Sequence, residues 1–318
     1  MGSALVTRGR ANVRRRAVSV DFDRPFRRPP AEAIRSPPAR AVRAHMSDAR
    51  PIGLFDSGVG GLTVLEAVAR RMPFEDLLYL GDTARLPYGT KSPETVRRYA
   101  RRAIGFLLSQ DVKAVVVACN TASALALDVI EEMSAVPVVG VVGPGAEAAV
   151  FAARASDRDG ARAPIAVLAT EATVASDAYG RAIRALDPGR DVTHTACPLF
   201  VPLAEEGWTE NEVAHAAAAR YLADVPRAGA RVVVLGCTHY PLLARTISKA
   251  LPTGTVLVDS AETAARAVEA ALPSASRRAE TSHGTTRLLV TDASDRLRRV
   301  AGRFLGRPAA ELTLVDLP

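Results

Sequence analysis

The sequence predicts an α/β fold built from mainly parallel sheets, and three observations carry that prediction. From Pro51 onward, short apolar runs alternate with amphipathic helical segments. The runs are continuous rather than alternating, which marks strands covered on both faces by helices. One strand-to-helix pattern also occurs twice: AVVVACNTAS (114–123) and RVVVLGCTHYP (231–241) each lead a valine triplet into a cysteine, a small polar pair and a helix. Two pseudo-symmetric α/β domains are therefore expected. Their ligand site belongs in the interdomain cleft, at the carboxyl ends of the strands.

In chain order, residues 1–48 stand apart as an Arg/Pro-rich extension. The first 45 carry eleven Arg against Asp21, Asp23 and Glu32, a surplus of +8 in a chain whose net charge is +7, so the body sits near −1. A segment rich in Arg, Pro and Ala with no apolar period cannot bury enough surface to order itself, and disorder is expected. It also lacks the apolar core of ~7–15 residues that follows the charges of a signal peptide. Met46, directly before SDARPIGLFDSG, is an alternative start. The tail's charge admits a non-enzymatic reading, binding of nucleic acid or another partner, which deletion of residues 1–45 would abolish.

The strands are expected at PIGLFD, DLLYLGD, AVVVAC, VPVVGVV, PIAVLAT, DVTHTAC, RVVVLGC, TVLVDS and RLLVTD, with helices such as GLTVLEAVARRM, TVRRYARRAIGFLLSQ and NEVAHAAAARYLADV between them. FAARASDRDGARAP (151–164) is the most loop-like stretch and lies near the crossing between halves. The expected division is 49–145 plus 257–318 for the first domain and 146–256 for the second. No stretch supplies the ~20 uninterrupted apolar residues of a membrane helix. Three cysteines in apolar surroundings read as reduced thiols of a cytoplasmic protein rather than a disulfide framework.

Cys119 and Cys237 both fall where a strand gives way to a helix. Amides at a helix start attract carboxylates and favour thiolate over thiol, so Cys119 with Asn120 and Thr121, and Cys237 with Thr238, are placed to hold an anion and react. A single such cysteine is as readily a buried structural residue; two in matching contexts favour chemistry. In FDSGVGGLTVL, Ser57 is a candidate cap and Asp56 a candidate site residue or a plain turn residue. A phosphate cradle fails there, because Thr63 stands where the third glycine of G-x-G-x-x-G is needed and no Gly-Lys-Ser/Thr follows. GDTARLPYGTKS places Tyr88 and Gly89 in a loop after a strand, by itself only a turn. Glu205 and Glu206 are an acidic pair of the kind usually found on solvated surface, and Cys197, before a proline, reads as structural. Zinc is not expected, since Cys237 and His239 lack a zinc-type spacing and no C-x-x-C occurs. A Cys237–His239 nucleophile, as in a thiol hydrolase, leaves Cys119 without a role.

Taken together and in this order, DSGVGGLTVL, GDTARLPYG, VVVACNTAS, CPLFVPLAEEG and LGCTHYPLL resemble the glutamate racemase family of the aspartate/glutamate racemase superfamily. The resemblance runs from Pro51 to about Asp259 by motif and excludes the Arg-rich segment. It implies interconversion of L- and D-glutamate without cofactor or metal, supplying D-glutamate for bacterial peptidoglycan in cell-wall biogenesis, by a homodimer. It further implies that Cys119 takes the proton from the D isomer and Cys237 from the L isomer. Asp56 would assist Cys119; Glu205 and His239 would assist Cys237. Ser57, Tyr88, Gly89, Asn120, Thr121, Thr170 and Thr238, with Asp56 and His239, fall on substrate-binding positions. Glu205 is preferred over Glu206 on register alone. Two positions depart from the pattern: Ala169 stands where Gly is expected, and Gly143 where relatives often have a larger polar residue. A racemase for aspartate or another acidic substrate, or a one-base isomerase or decarboxylase, is the nearest enzymatic alternative.

Overall fold

The computed structural model describes residues 48–157, 162–278, 282–309 and 311–317. The Arg-rich segment and its expected disorder lie outside the described residues. Among those described, ten strands form two wholly parallel sheets. Six strands, β1 (Ile52–Asp56), β2 (Leu77–Gly81), β3 (Ala114–Val117), β4 (Val138–Gly140), β9 (Thr286–Val290) and β10 (Leu312–Leu314), stand in the order β10-β9-β2-β1-β3-β4. The other four, β5 (Ile165–Ala169), β6 (Val192–Ala196), β7 (Val232–Gly236) and β8 (Val256–Asp259), stand in the order β6-β5-β7-β8. The first four strands of each half thus repeat one arrangement, with β3 and β7 in equivalent places.

The helices are α1 (Leu62–Arg71), α2 (Pro93–Ser109), α3 (Asn120–Met133), α4 (Val142–Ser156), α5 (Glu171–Ala175), α6 (Ala178–Leu186), α7 (Phe200–Glu206), α8 (Glu212–Tyr221), α9 (Ala244–Lys249), α10 (Ser260–Ala271) and α11 (Asp295–Leu305). The central strands β1, β2, β3, β5 and β7 are buried along their whole length because their alternate residues enter different cores. Leu54, Tyr79 and Val116 face a core shared with Leu168, Val233 and Leu235 of the second sheet, into which α1, α10 and α11 also pack. Phe55, Leu78, Val115 and Val117 face α2 and α3 on the other side, and Val167, Val232 and Val234 face α4 and α6. Burial of apolar surface on both faces stabilises each strand.

All nine strands expected from the sequence are present. The chain returns to the first sheet later than residue 257, because β8 pairs with β7 from Val232↔Val256 to Leu235↔Asp259 and so belongs to the second sheet. Pairing partners, not spacing along the chain, decide that boundary. β4 is shorter than its apolar run: the chain turns at Val141 into α4, whose residues pack on the second sheet.

Candidate active site

A cleft of about 150 Å³ opens between the carboxyl ends of the two sheets, and both Cys119 and Cys237 line it. Each enters at the end of an equivalent strand, Cys119 after β3 and Cys237 after β7. Ser57, Tyr88, Gly89, Asn120, Thr121, Thr170, Thr238 and His239, all singled out in the sequence, also line this cleft. Two do not. Asp56 is 1% exposed and stands behind Ser57, and Glu205 stands behind His239, lining a separate cavity with Arg296 and Val300. Asp56 is thus set off from the cleft that its neighbour Ser57 lines.

On the first side, Cys119 caps α3, its sulfur accepting from the Ala122 amide at 3.4 Å while its thiol donates to the Ser57 hydroxyl at 3.4 Å. The local rule that a helix start favours thiolate does not decide its charge. Burial, and then the nearby Asp56 carboxylate, push the Cys119 thiol up to about 12, outweighing the Ser57 and Ala122 hydrogen bonds. Asp56 itself accepts from the Gly58 amide at 3.0 Å through Oδ2, while Oδ1 is buried with no hydrogen-bond partner. Burial raises its pKa above the ordinary carboxylate value.

On the second side, Cys237 is followed not by an α-helix but by a 3-10 turn, Tyr240–Leu243, ahead of α9. Its neighbour is His239, whose Nδ1 lies 3.9 Å from the sulfur and whose Nε2 lies 3.2 Å from Glu205 Oε1. Burial works against charge on this ring, but the hydrogen bonds to Cys237 and Glu205 prevail and raise its pKa to about 10. Burial likewise works against the Glu205 carboxylate, yet His239 and Arg296 hold it below the usual range. Glu206 points away, its Oε1 paired with Arg296 at 2.9 Å. Of the two glutamates, Glu205 is the one hydrogen-bonded to His239.

The wall between the cysteines is built from neutral donors. Thr121, Thr170 and Thr173 bring their hydroxyls within 3.0 to 3.2 Å of one another, joining the start of α3 to the start of α5. Asn120 is held by the Tyr179 hydroxyl, which donates to its Oδ1 at 2.7 Å, and its own amide donates to Ser260 at 3.4 Å. Tyr88 donates to the fully buried Asp82 at 2.6 Å; its burial and the Asp82 charge raise its pKa, so it stays a neutral phenol. Asp82 also accepts from Arg85 at 2.9 Å and Thr291 at 3.0 Å, which ties the Tyr88–Gly89 loop to the end of β9. Sequence reasoning missed Asp82 and Thr173. The letters of GDTARLPYG and ATEAT hold both, but nothing local says that they support a cleft.

Close backbone approach fixes how the halves meet. A Cβ on Gly60 would collide with the Thr238 hydroxyl and the His239 ring, and one on Gly89 would lie 2.7 Å from Thr170 Cβ. Thr63, the residue that spoils the phosphate-loop pattern, donates to the Gly60 carbonyl at 3.0 Å and to the Thr238 carbonyl at 3.4 Å. This loop is a contact surface for the second half. A Cβ on Gly143 would meet nothing within 4 Å, so that departure leaves open space rather than a lost contact. Cys197 is wholly buried, 3.5 Å from the Thr195 carbonyl, with its thiol pushed up to about 12 by burial. Among the described residues no group of three His, Cys, Asp or Glu could hold a metal ion.

Comparison with known proteins gives three concordant results. Residues 57–268 match the family model described as Asp/Glu/Hydantoin racemase, a span that ends before α11. A glutamate racemase of Geobacter metallireducens is 48% identical over 269 residues, covering 84% of this chain and 97% of that protein. Among solved structures, glutamate racemase from Francisella tularensis in complex with D-glutamate superposes with a TM-score of 0.78 at 35% identity, covering 85% of this chain and 98% of that one. The Thermus thermophilus glutamate racemase, in complex with β-chloro-D-alanine, gives 0.75 at 45% identity over the same shares of the two chains.

Proposed function

The chain belongs to the Asp/Glu/Hydantoin racemase family, and on that premise we propose that it interconverts L- and D-glutamate with Cys119 and Cys237 as the two bases. The observation that carries this reading is that two cysteines from equivalent strand ends open onto one cleft with unlike neighbours. Inversion at one carbon requires a base on one face and an acid on the other. A thiolate takes the α-proton while the opposite thiol delivers its own, so one cysteine must be charged when the other is neutral.

The residues around the cleft fit the demands of that step. An α-proton is a very weak acid, and its removal by sulfur needs the developing negative charge to be spread onto fixed donors. Asn120, Thr121, Thr170 and Thr238, with the amides near Ser57 and Gly89, are the donors we assign to the substrate's carboxylates. Cys237, beside the His239 imidazolium, is assigned to the L isomer. Cys119, which rests as a thiol, is assigned to deliver a proton when L-glutamate is consumed and to act as base for the D isomer. Asp56 and Glu205 act through Cys119 and His239 respectively. We further infer two domains, one around each sheet, a homodimeric assembly and a cytoplasmic place in bacterial peptidoglycan synthesis. No described helix is long and apolar enough to cross a membrane.

The test is proton–deuterium exchange at the α-carbon of L- and D-glutamate in D₂O without added cofactor, followed by NMR and chiral chromatography. Racemisation of both isomers with solvent deuterium incorporation is the expected result, with inversion lost in Cys119→Ser and in Cys237→Ser. Exchange on aspartate but not glutamate would move the assignment to the other acidic amino acid. Full activity in either variant would end the two-base mechanism.

A further inference from the structure

The Cys237 side is braced by an element with no evident part in the chemistry, the last helix α11. This helix reaches both members of the His239–Glu205 pair. Phe304 packs against the His239 ring, with centroids 4.9 Å apart and planes at 77°. Arg303 donates to the Glu205 carbonyl, and Arg296 stands 3.7 Å from the Glu205 carboxylate. Phe304 is buried in the shared core beside Leu297 and Val300, so its ring is fixed before it meets the histidine. Among the described residues Cys119 has no imidazole hydrogen-bonded to it: its polar neighbours are Ser57, the Ala122 amide and Asp56.

We propose that Phe304 is a positioning residue for one half of the reaction, setting the plane of the His239 ring so that Nε2 meets Glu205 while Nδ1 faces Cys237. An edge-on aromatic contact restricts the tilt of a ring that two hydrogen bonds, one on each nitrogen, leave free to rock about the line between them. Removing Phe304 leaves a void beside His239, and the imidazolium then meets Cys237 in only a fraction of orientations. Proton transfer at Cys237 slows, and transfer at Cys119 does not.

The proposal rests on the racemase reading, and racemisation supplies an unusual constraint on testing it. Two enantiomers have equal free energy, so kcat/KM for L- and D-glutamate must fall by the same factor in any variant. A one-sided defect is visible instead in which proton transfer limits the rate. The experiment is the primary deuterium isotope effect on kcat/KM for α-deuterated L-glutamate and α-deuterated D-glutamate, in wild type, Phe304→Ala, Phe304→Leu and Phe304→Tyr of the full chain.

The expected result for Phe304→Ala is a fall of roughly ten- to a hundredfold in kcat/KM, the scale of a small misplacement of a catalytic group. Its isotope effect should rise for the L substrate, where Cys237 takes the labelled proton, and fall for the D substrate, where the labelled transfer belongs to Cys119. Phe304→Leu, which keeps the apolar volume and protects the fold, should shift both in the same directions by less. Phe304→Tyr, which keeps the ring, should restore the wild-type values. A lower rate with both isotope effects unchanged means only fewer folded molecules and overturns the proposal, as do shifts of equal sign for the two isomers. A wild type that exchanges neither isomer's α-proton overturns the racemase reading and this proposal with it.

Discussion

Cys119 and Cys237 leave equivalent strands of two similarly ordered sheets, yet their surroundings are opposite in kind. Cys119 caps an α-helix beside a buried carboxyl, and burial with that negative neighbour pushes its thiol up to about 12. Cys237 precedes a 3-10 turn and faces His239, whose own pKa is raised to about 10 by the hydrogen bonds to Cys237 and Glu205. The repeat therefore places two sulfurs, and the residues that are not repeated give them unlike neighbours. A helix start lends a thiol only part of its charge preference; desolvation and the nearest full charge decide the rest.

The largest test of that division is removal of either sulfur. Cys119→Ser and Cys237→Ser should each lower kcat/KM for both isomers by roughly a thousandfold or more, at the upper end of what one acid–base group contributes. What distinguishes the sides is the residual half-reaction. Cys237→Ser should still wash deuterium into D-glutamate without inverting it, and Cys119→Ser should do so with L-glutamate. NMR of each isomer in D₂O reads this directly, and the reverse pattern would exchange the two assignments.

Next in size is an attack on how the halves meet. Gly60→Ala would drive a methyl group into Thr238 and His239, so it should cost roughly a hundredfold in kcat/KM, as misplacements on the ångström scale do. Gly143→Ala, with nothing near its new methyl, should change activity less than twofold. If Gly60→Ala is also silent, the loop after β1 is not the rigid floor of the Cys237 side.

The charge on His239 gives a pH test with a definite sign. The ring gains its partners only in the folded chain, so its pKa rises from the ordinary 6.5 to about 10. The stability it lends is complete below about 6.5 and is lost as pH rises through about 10. Activity that depends on the imidazolium should fall over the same alkaline range, equally for both isomers in kcat/KM. His239→Gln should be slower at neutral pH and lose that part of the alkaline limb. An unchanged limb in the variant would place the titration elsewhere.

These contrasts also mark what the sequence could and could not say. Most of the nine expected strands were legible as apolar runs between polar turns, whereas β6, Val-Thr-His-Thr-Ala, stands out by its β-branched residues instead. The tenth, β10, was not legible: Leu312–Leu314 is three residues long with two of them exposed, and it is a strand only because it pairs beside β9. The membership of β8 was hidden for the same reason, since register with β7 is nonlocal. The residues at the cleft, with Asp56 and Glu205 beside them, could be named because their motifs resemble a family's, but the more distant contacts that hold them could not. The Asp82–Thr291 bond joins positions 209 apart, and the Phe304–His239 contact depends on a helix folding back from the end of the chain. Asp56 falls on a substrate-binding position only through the family resemblance; in the structure it is buried and does not line the cleft.

The smallest effect sharpens the comparison most finely, because it concerns adjacent residues of one type. Glu205 and Glu206 end the same helix, and both approach Arg296, but only Glu205 reaches His239. Glu205→Gln keeps a hydrogen-bond acceptor for Nε2 and removes the negative charge that favours the imidazolium, so it should lower activity about tenfold and move the alkaline limb to lower pH. Glu206→Gln breaks an ion pair that is roughly half exposed on both partners, an interaction generally worth about 0 to 1 kcal/mol, and should leave kcat/KM within about twofold. Measured as paired pH profiles, the two variants ask whether charge at the end of α7 matters in itself or only through the ring it touches. Equal shifts would mean that the field of the acidic pair, rather than the contact with His239, sets the Cys237 side.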